Sequence, residues 1–514
     1  MKYETSINDS SNNKRIAKNT LLLYFRMLLM MVVTLYTSRV VLATLGVEDY
    51  GIYNVVGGVV TMFGFISGCM STATQRYLTF ELGKGRVKRL QEVFNVSILI
   101  HGIVALVILV VAETIGLWFL WNKMQIPTGR LDAAFWVYQS SVLAALIMIM
   151  SIPYNATIIA HERMSAFACI SVLEVLLKLG IVYLLLLLNV DKLILYAVLI
   201  VAVQFAVRIC YGWYCKCHFK ETRIRLTWNR CLIKEMLSFA GWSIVGNAAY
   251  VAYTQGINVL LNIFFGPTVN AARAISVQVQ HAVNMFSQNF QTAINPQIIK
   301  LYAARQYDES RKLTLESSIY VFELFLLIGI PVLLLTEPIM KLWLKEVPEY
   351  AVAFSQCIIV SAMMGTYSSA FYTPLTAAGK LKGNSLAALF VCGGQFILAY
   401  MLLKCGFSVM WVQYSYIGVS FLFAFIIKPY LLVKEMGYKV SEFARCFRKS
   451  FFILVFSSTM PFVIAQYMDR GSFLGFVTIG TISVFNVLIV ALVFLPKEIK
   501  TKLMMRMKVK FNQL

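Results

Sequence analysis

Apolar runs of about 20 residues recur along nearly the whole chain, each long enough to cross a hydrocarbon layer of roughly 30 Å as a helix. Fourteen can be read, at 19–43, 50–80, 92–112, 133–153, 165–188, 193–214, 236–261, 270–298, 314–335, 351–374, 385–403, 409–427, 450–466 and 473–495. The pattern predicts an all-α, polytopic membrane protein with about 14 transmembrane helices. The connectors are short: the longest, near 113–132, 215–235 and 428–449, leave no room for a separate globular domain. Function is therefore expected among the helices.

Three runs carry a polar stripe. In run 8, His281, Asn284, Gln288, Gln291 and Asn295 recur at alternating steps of three and four, and Val277 connects them back to Arg273. Run 7 repeats the period with Asn247, Tyr250, Thr254 and Asn258, and run 2 with Asn54, Gly57, Thr61, Gly64, Gly68, Ser71 and Gln75. Such spacing places each set on one helix face. Small and polar residues also line ordinary membrane-helix contacts, which suits glycine-rich run 2. Five large polar groups in register on run 8 favour a wet cavity.

The same runs carry signs of duplication. "LATLGVEDYGIYNVV" joins runs 1 and 2 as "LLNIFFGPTVNAARAI" joins runs 7 and 8, so that Gly46 corresponds to Gly266. "IPYNATIIA" closes run 4 and "YTPLTAAGK" closes run 10, so that Pro153 corresponds to Pro374. The two offsets differ by a single position. Two anchors that agree so nearly predict pseudo-symmetric six-helix bundles of like orientation, followed by two extra helices. The expected divisions are an N-terminal tail (1–18), a first lobe (19–217), a basic linker (218–235), a second lobe (236–433), a linker with two helices (434–496) and a basic tail (497–514). The two prolines are either hinges or ordinary helix terminators.

Composition agrees with the pattern, since 59% of residues are hydrophobic and 14% charged, against about a quarter charged in soluble domains. The net charge of +22 would suit nucleic acid if the cations formed a domain, but their placement gives another meaning. With the N-terminus cytoplasmic and sides alternating, 33 of the 46 Lys and Arg lie inside, 7 outside and 6 within helices. That bias is the positive-inside signature; it predicts cytoplasmic termini and affinity for anionic membrane lipid, and no nucleic-acid partner. The first run is too long for a signal peptide and has no cleavage pattern behind it. Ten scattered cysteines and four dispersed histidines offer no metal-ligand spacing, so neither metal nor cofactor is expected.

The six cations within helices are Arg26, Arg39, Arg76, Lys178, Arg208 and Arg273. Each costs roughly 2.5 to 3.5 kcal/mol if it faces lipid at the midplane. Glu174, four residues before Lys178, supplies that cation a partner, and Arg39 and Arg208 lie near enough to helix ends to snorkel. Arg26 sits about 7 residues, roughly 10 Å, into run 1 with no acid one turn away; Arg76 ends the run 2 stripe and Arg273 begins that of run 8. The one comparable acid is Glu323. A cavity richer in cations than carboxylates attracts an anion, and the guanidinium fork suits phosphate oxygens.

"LGVEDYGIYNVVGGVV" and "NAARAISVQVQHAVNMFSQNFQTAINPQIIKLYA" resemble bacterial polysaccharide-biosynthesis flippases of the multidrug, oligosaccharidyl-lipid and polysaccharide exporter superfamily, over runs 1 to 12 and through loose hydrophobic motifs. The resemblance implies a two-lobed fold, alternating access, residence in the bacterial inner membrane, and movement of an undecaprenyl-pyrophosphate-linked oligosaccharide from the cytoplasmic to the outer leaflet. It also implies that Arg26, Arg76 and Arg273, matched by helix position, hold the pyrophosphate. The polar groups of runs 7 and 8 (Asn247, Asn258, His281, Asn284 and Gln288) become candidates for sugar hydroxyls. No GxxxxGK[ST] phosphate loop is present, so the membrane potential or a coupling ion is the expected drive, and a monomer the expected state. Drug exporters of the superfamily carry acidic cavity residues, which runs 1 and 2 have only at their ends. A cation-coupled drug or metabolite antiporter is thus the alternative. A membrane glycosyltransferase or polymerase ranks lower, because the acids expected of such an enzyme on an outer loop reduce to Glu48 and Asp49 in a tight turn.

Overall fold

The computed structural model describes residues 19–494 apart from 35, 38–39, 42–43, 47–48, 50–51, 54–55, 57–63, 123–125, 127, 188–189, 226 and 345–346, and apart from the side chains of 65, 267 and 270. Arg39, Glu48, the outer part of the run 2 stripe (Asn54, Gly57, Thr61) and both polar tails fall outside the described residues. Among the described residues all regular structure is helical.

The first two runs are helical over Asn19–Thr34 (α1) and Gly64–Gly83 (α2). There follow α3 (Val87–Asn122), α4 (Leu131–Ala160), α5 (Met164–Leu187), α6 (Lys192–His218), α7 (Arg230–Phe265), α8 (Pro267–Ala303), α9 (Tyr307–Leu334), α10 (Ala351–Ala378), α11 (Lys382–Lys404), α12 (Met410–Met436), α13 (Val440–Tyr467) and α14 (Phe473–Phe494). A short helix, Thr336–Trp343, follows α9. Eleven of these are long and apolar enough to span a membrane. α8, at 37 residues, is longer than any of them but more polar, because its stripe displaces apolar residues from one face.

The duplication is visible in backbone geometry. Gly46 and Gly266 both take left-handed conformations, with φ of +83° and +79°. The turn after α2 closes with Gly85 N–H donating to Leu82 and Arg86 N–H to Glu81; the corresponding turn after α8 closes with Arg305 to Tyr302 and Gln306 to Leu301. The ends of α4 and α10 match likewise, at Glu162 and Gly379. All four are Schellman closures, which call for a left-handed residue after the helix. Arg305 and Glu162 adopt it without being glycine. Pro153 and Pro374 lie inside the last turns of their helices.

Two helices contain a π-helical turn, Ala112–Gly116 in α3 and Leu422–Ile427 in α12. In α3 the Tyr138 hydroxyl donates to the Ala112 carbonyl at 2.8 Å, and Gly116 is needed because a Cβ there would meet the same hydroxyl oxygen at 1.9 Å.

The chain forms two compact units, one of residues 1–248 with 292–307 and the other of 249–291 with 308–514. The first unit therefore includes the start of α7 and the end of α8. Its core packs Ile52, Val56, Val137, Tyr138 and Leu193, and the connectors ahead of α2, α4 and α6 are tied where Arg130 pairs with Asp49 and Asp191. The carboxylate at Asp49 that an outer-surface enzyme would need is thus engaged in a structural clasp. The second unit packs Ile257, Leu261, Phe354 and Val412, with an aromatic cluster of Tyr367, Phe371, Phe425 and Phe447. In it α13 and α14 are joined by Asn486, which donates to the carbonyls of Phe456 and Ser457.

Candidate functional site

Arg273 lies on the second turn of α8, 7% exposed. Its Nε donates to Asn258 Oδ1 of α7 at 2.7 Å, so the last polar residue of the run 7 stripe and the first of run 8 meet. Around them stand phenols, of which only Tyr250 belongs to a polar stripe predicted from the sequence. Tyr253, Tyr416 and Tyr250 lie within electrostatic range of the guanidinium, the hydroxyls of Tyr250 and Tyr416 are 3.4 Å apart, and the Gln280 amide reaches Tyr416 at 3.5 Å. Among the described residues Arg273 has no ion pair. Its hydrogen bond goes to a neutral amide oxygen, a setting in which the charge retains attraction for an added anion.

Farther along α8, His281 and Gln288 are exposed and Asn284 half-buried, while Val283, on another face, packs with Phe325, Ile359 and Ala362. From His281 to Gln288 the stripe is thus the side turned away from its own unit's core. Gln291, the next member, is buried and accepts from Ser369 of α10 at 2.6 Å.

The other candidates belong to the first unit. Arg26 donates to Ser171 at 3.3 Å and lies over the ring of Phe167, 4.5 Å from its centre, so it faces α5. Arg76 is boxed by Tyr77, Phe80 and Phe239 at 4.4, 4.8 and 5.6 Å, within electrostatic range of Glu235 and Glu81. Asn247 donates to the Ser243 carbonyl and to Cys69 Sγ. Its two donors go to local partners of α7 and α2, whereas Asn258 meets the cation.

Of the remaining intramembrane cations, Lys178 pairs with Glu174 at 2.7 Å, as its spacing predicts. Lys428, one residue past the end of run 12, is buried in α12 over the Tyr372 ring at 4.5 Å; α12 continues past it to Met436. Glu323 is buried. Among the described residues no group of His, Cys, Asp and Glu is disposed to hold a metal ion.

A family model described as "Polysaccharide biosynthesis protein" matches residues 14–301. Solved structures share the fold at low identity. One described as "Crystal structure of MATE in the bent conformation" has a TM-score of 0.72 at 11% identity, covering 85% of this chain and 97% of that one. An "Outward-facing conformation of a multidrug resistance MATE family transporter of the MOP superfamily" gives 0.71 at 13%, over 82% and 96%. A MOP superfamily transporter from Pyrococcus furiosus, reported for the reverse polarity of its binding pocket, gives 0.68 at 13%, over 83% and 97%. No curated protein matches.

Proposed function

We propose, because the chain belongs to the polysaccharide biosynthesis protein family and has the fold of MOP superfamily transporters, that it moves an undecaprenyl-pyrophosphate-linked oligosaccharide from the cytoplasmic to the outer leaflet by alternating access. Family and fold are those of a membrane transporter, not of a catalytic enzyme. The finer reading adds the substrate, the site and a bacterial inner membrane with both termini cytoplasmic.

The observation that carries the substrate class is Arg273, a buried guanidinium whose hydrogen-bond partner is an amide and whose neighbours are phenols. A diphosphate cannot cross hydrocarbon bare, because shedding the hydration of an ionised group costs many kcal/mol. Guanidinium groups replace that hydration with bidentate, charge-assisted hydrogen bonds, while the polyprenyl tail remains in lipid. Arg273 is the first ligand in this scheme and Arg26 the second. Arg76, which shares the field of Glu81 and Glu235, contributes less. Asn258 orients Arg273; His281, Asn284 and Gln288 line the open face of α8 and offer donors and acceptors to sugar hydroxyls, with Asn247 deeper on α7. The membrane potential or a coupled ion drives the cycle.

The test uses purified protein in liposomes loaded with a lipid-linked oligosaccharide on one leaflet. Wild type should transfer it to the other leaflet, and Arg273→Ala should abolish transfer while still inserting and folding. Transfer at the wild-type rate by Arg273→Ala removes the assignment, and elongation of the glycan in place of transfer makes the protein a polymerase.

A further inference from the structure

The surface of the first unit holds a cavity of about 420 Å³ lined by Leu146, Ile147 and Met150 of α4 and Phe205, Arg208 and Ile209 of α6. Its size falls in the range of roughly 300 to 1,000 Å³ typical of small-molecule sites. Phe205 and Ile209 are more than half exposed, so it opens outward from the unit. Arg208 is its one charged residue. The guanidinium lies over Tyr154, 3.9 Å from the ring centre, and pairs with no carboxylate among the described residues.

We propose that this cavity is a fixed binding site for an anionic glycerophospholipid of the cytoplasmic leaflet, with the phosphate on Arg208 and part of one acyl chain in the apolar groove. Three observations identify the occupant. First, the lining is apolar, with the stem of Arg208 forming part of it, and the guanidinium stands at its edge over Tyr154 without a counter-charge among the described residues, the complement of a lipid with an apolar chain and an anionic head. Second, the order of residues gives the site a direction. With the N-terminus cytoplasmic, as the placement of the cations predicts, α4 and α6 both run from the outer side inward, so Leu146 and Phe205 lie toward the midplane and Arg208 and Tyr154 toward the cytoplasm. A lipid anchored by its head at Arg208 must send its chain toward Leu146, as a cytoplasmic-leaflet lipid does. Third, Arg208 lies ten residues, roughly 15 Å, before the end of α6. Beyond it the same end of the unit carries exposed Arg163, Lys216, Lys220 and Arg223, a basic rim that concentrates anionic lipid. Snorkelling accounts for the tilt of Arg208 toward Tyr154 but not for a groove beside it.

The inference does not depend on the transported substrate, and its test reads lipid capture instead of transport. Full-length protein is placed in vesicles of equimolar phosphatidylglycerol and phosphatidylcholine, one or the other carrying a photoreactive acyl chain, and the labelled peptides are mapped. Labelling should fall on peptides containing Met150 and Phe205, with phosphatidylglycerol favoured severalfold, because both lipids offer a phosphate but only phosphatidylcholine carries an ammonium that offsets its attraction to Arg208. Arg208→Gln should erase that preference and Arg208→Lys retain most of it. Equal labelling by the two lipids in wild type, or an unchanged preference in Arg208→Gln, overturns the proposal. So does preferential capture of photoreactive undecaprenyl phosphate in the same vesicles, which would assign the groove to an isoprenoid lipid. Met150→Trp, which fills the groove and leaves the charge, should abolish labelling of the Phe205 peptide; persistence of that label overturns it independently of how Arg208 variants fold.

Discussion

At the scale of single residues, what matters about a buried charge is the chemistry of its neighbours. Arg273 and Lys178 are both cations in apolar helices, yet Lys178 has Glu174 beside it and Arg273 has Asn258 and three phenols. Asn258→Asp would convert the second case into the first. The carboxylate should ion-pair with Arg273 and raise or preserve thermal stability while lowering oligosaccharide transfer at least tenfold; transfer and unfolding midpoint measured on one preparation check both halves. The helical period made Asn258 and Arg273 legible as members of the polar faces of α7 and α8, because a step of three or four is a local property. Tyr253, Tyr416 and Gln280 were not, since phenols and amides scattered through apolar runs acquire a role only when α7, α8 and α12 pack. His161 and Glu221 teach the same lesson outside the membrane. They pair although α5 and α6 separate them in the chain, and His161 stacks on Phe219. Burial raises the Glu221 carboxyl, but the hydrogen bond and charge of His161 with a backbone donor outweigh it and hold the group below the usual carboxylate range. A depressed acid contributes stability that is complete above its ordinary value, about 4.3, and lost as pH falls through the depressed one. The unfolding midpoint of wild type should accordingly exceed that of Glu221→Gln at neutral pH and converge on it as the solution is acidified below that range.

At the scale of helices, the C-terminal end of α8 shows how a short motif becomes a contact. Gly83 ends α2 so close to α8 that a Cβ would stand 2.6 Å from the Lys300 carbonyl oxygen and 2.7 Å from its Cα. The same Lys300 reaches Glu162 at 2.7 Å, and Gln297 donates to the other carboxylate oxygen at 3.0 Å. Glu162 is buried, left-handed in backbone, and accepts at its carbonyl from Asn19 of α1. One acidic residue therefore joins the ends of α1, α4 and α8. Gly83→Leu should force α2 and α8 apart and destabilise the protein by about 2 to 3 kcal/mol, seen as a lower unfolding midpoint, whereas Gly68→Ala, with open space at its Cβ, should have little effect. The duplication was legible at this scale through Gly46, Gly266, Pro153 and Pro374. The paired turns at Gly85 and Arg305 escaped notice because glycine and arginine share no chemistry there, only a φ of +66° and +64°.

At the scale of the whole molecule, orientation in the membrane is the property from which leaflet, direction of transport and the lipid site all follow, and the chain carries its own reporters for it. Among its free cysteines, Cys217 and Cys231 are exposed near the end of α6 and the start of α7, and Cys405 is exposed immediately after α11. With the N-terminus cytoplasmic, α6 ends and α7 begins inside, and α11 ends outside. The basic residues agree, since Lys216, Lys220, Arg223 and Arg225 surround the first pair whereas Lys404 stands alone beside Cys405. A membrane-impermeant maleimide added to intact cells should label Cys405 and spare Cys217 and Cys231, which should react once the membrane is permeabilised, as exposed thiols in water do. Labelling in the reverse order would invert every helix. Arg208 would then face the outer leaflet, the basic linker would lie outside, and the proposed direction of oligosaccharide movement would need a reversed cycle, so peptide mapping of three native thiols decides the orientation without any engineered residue.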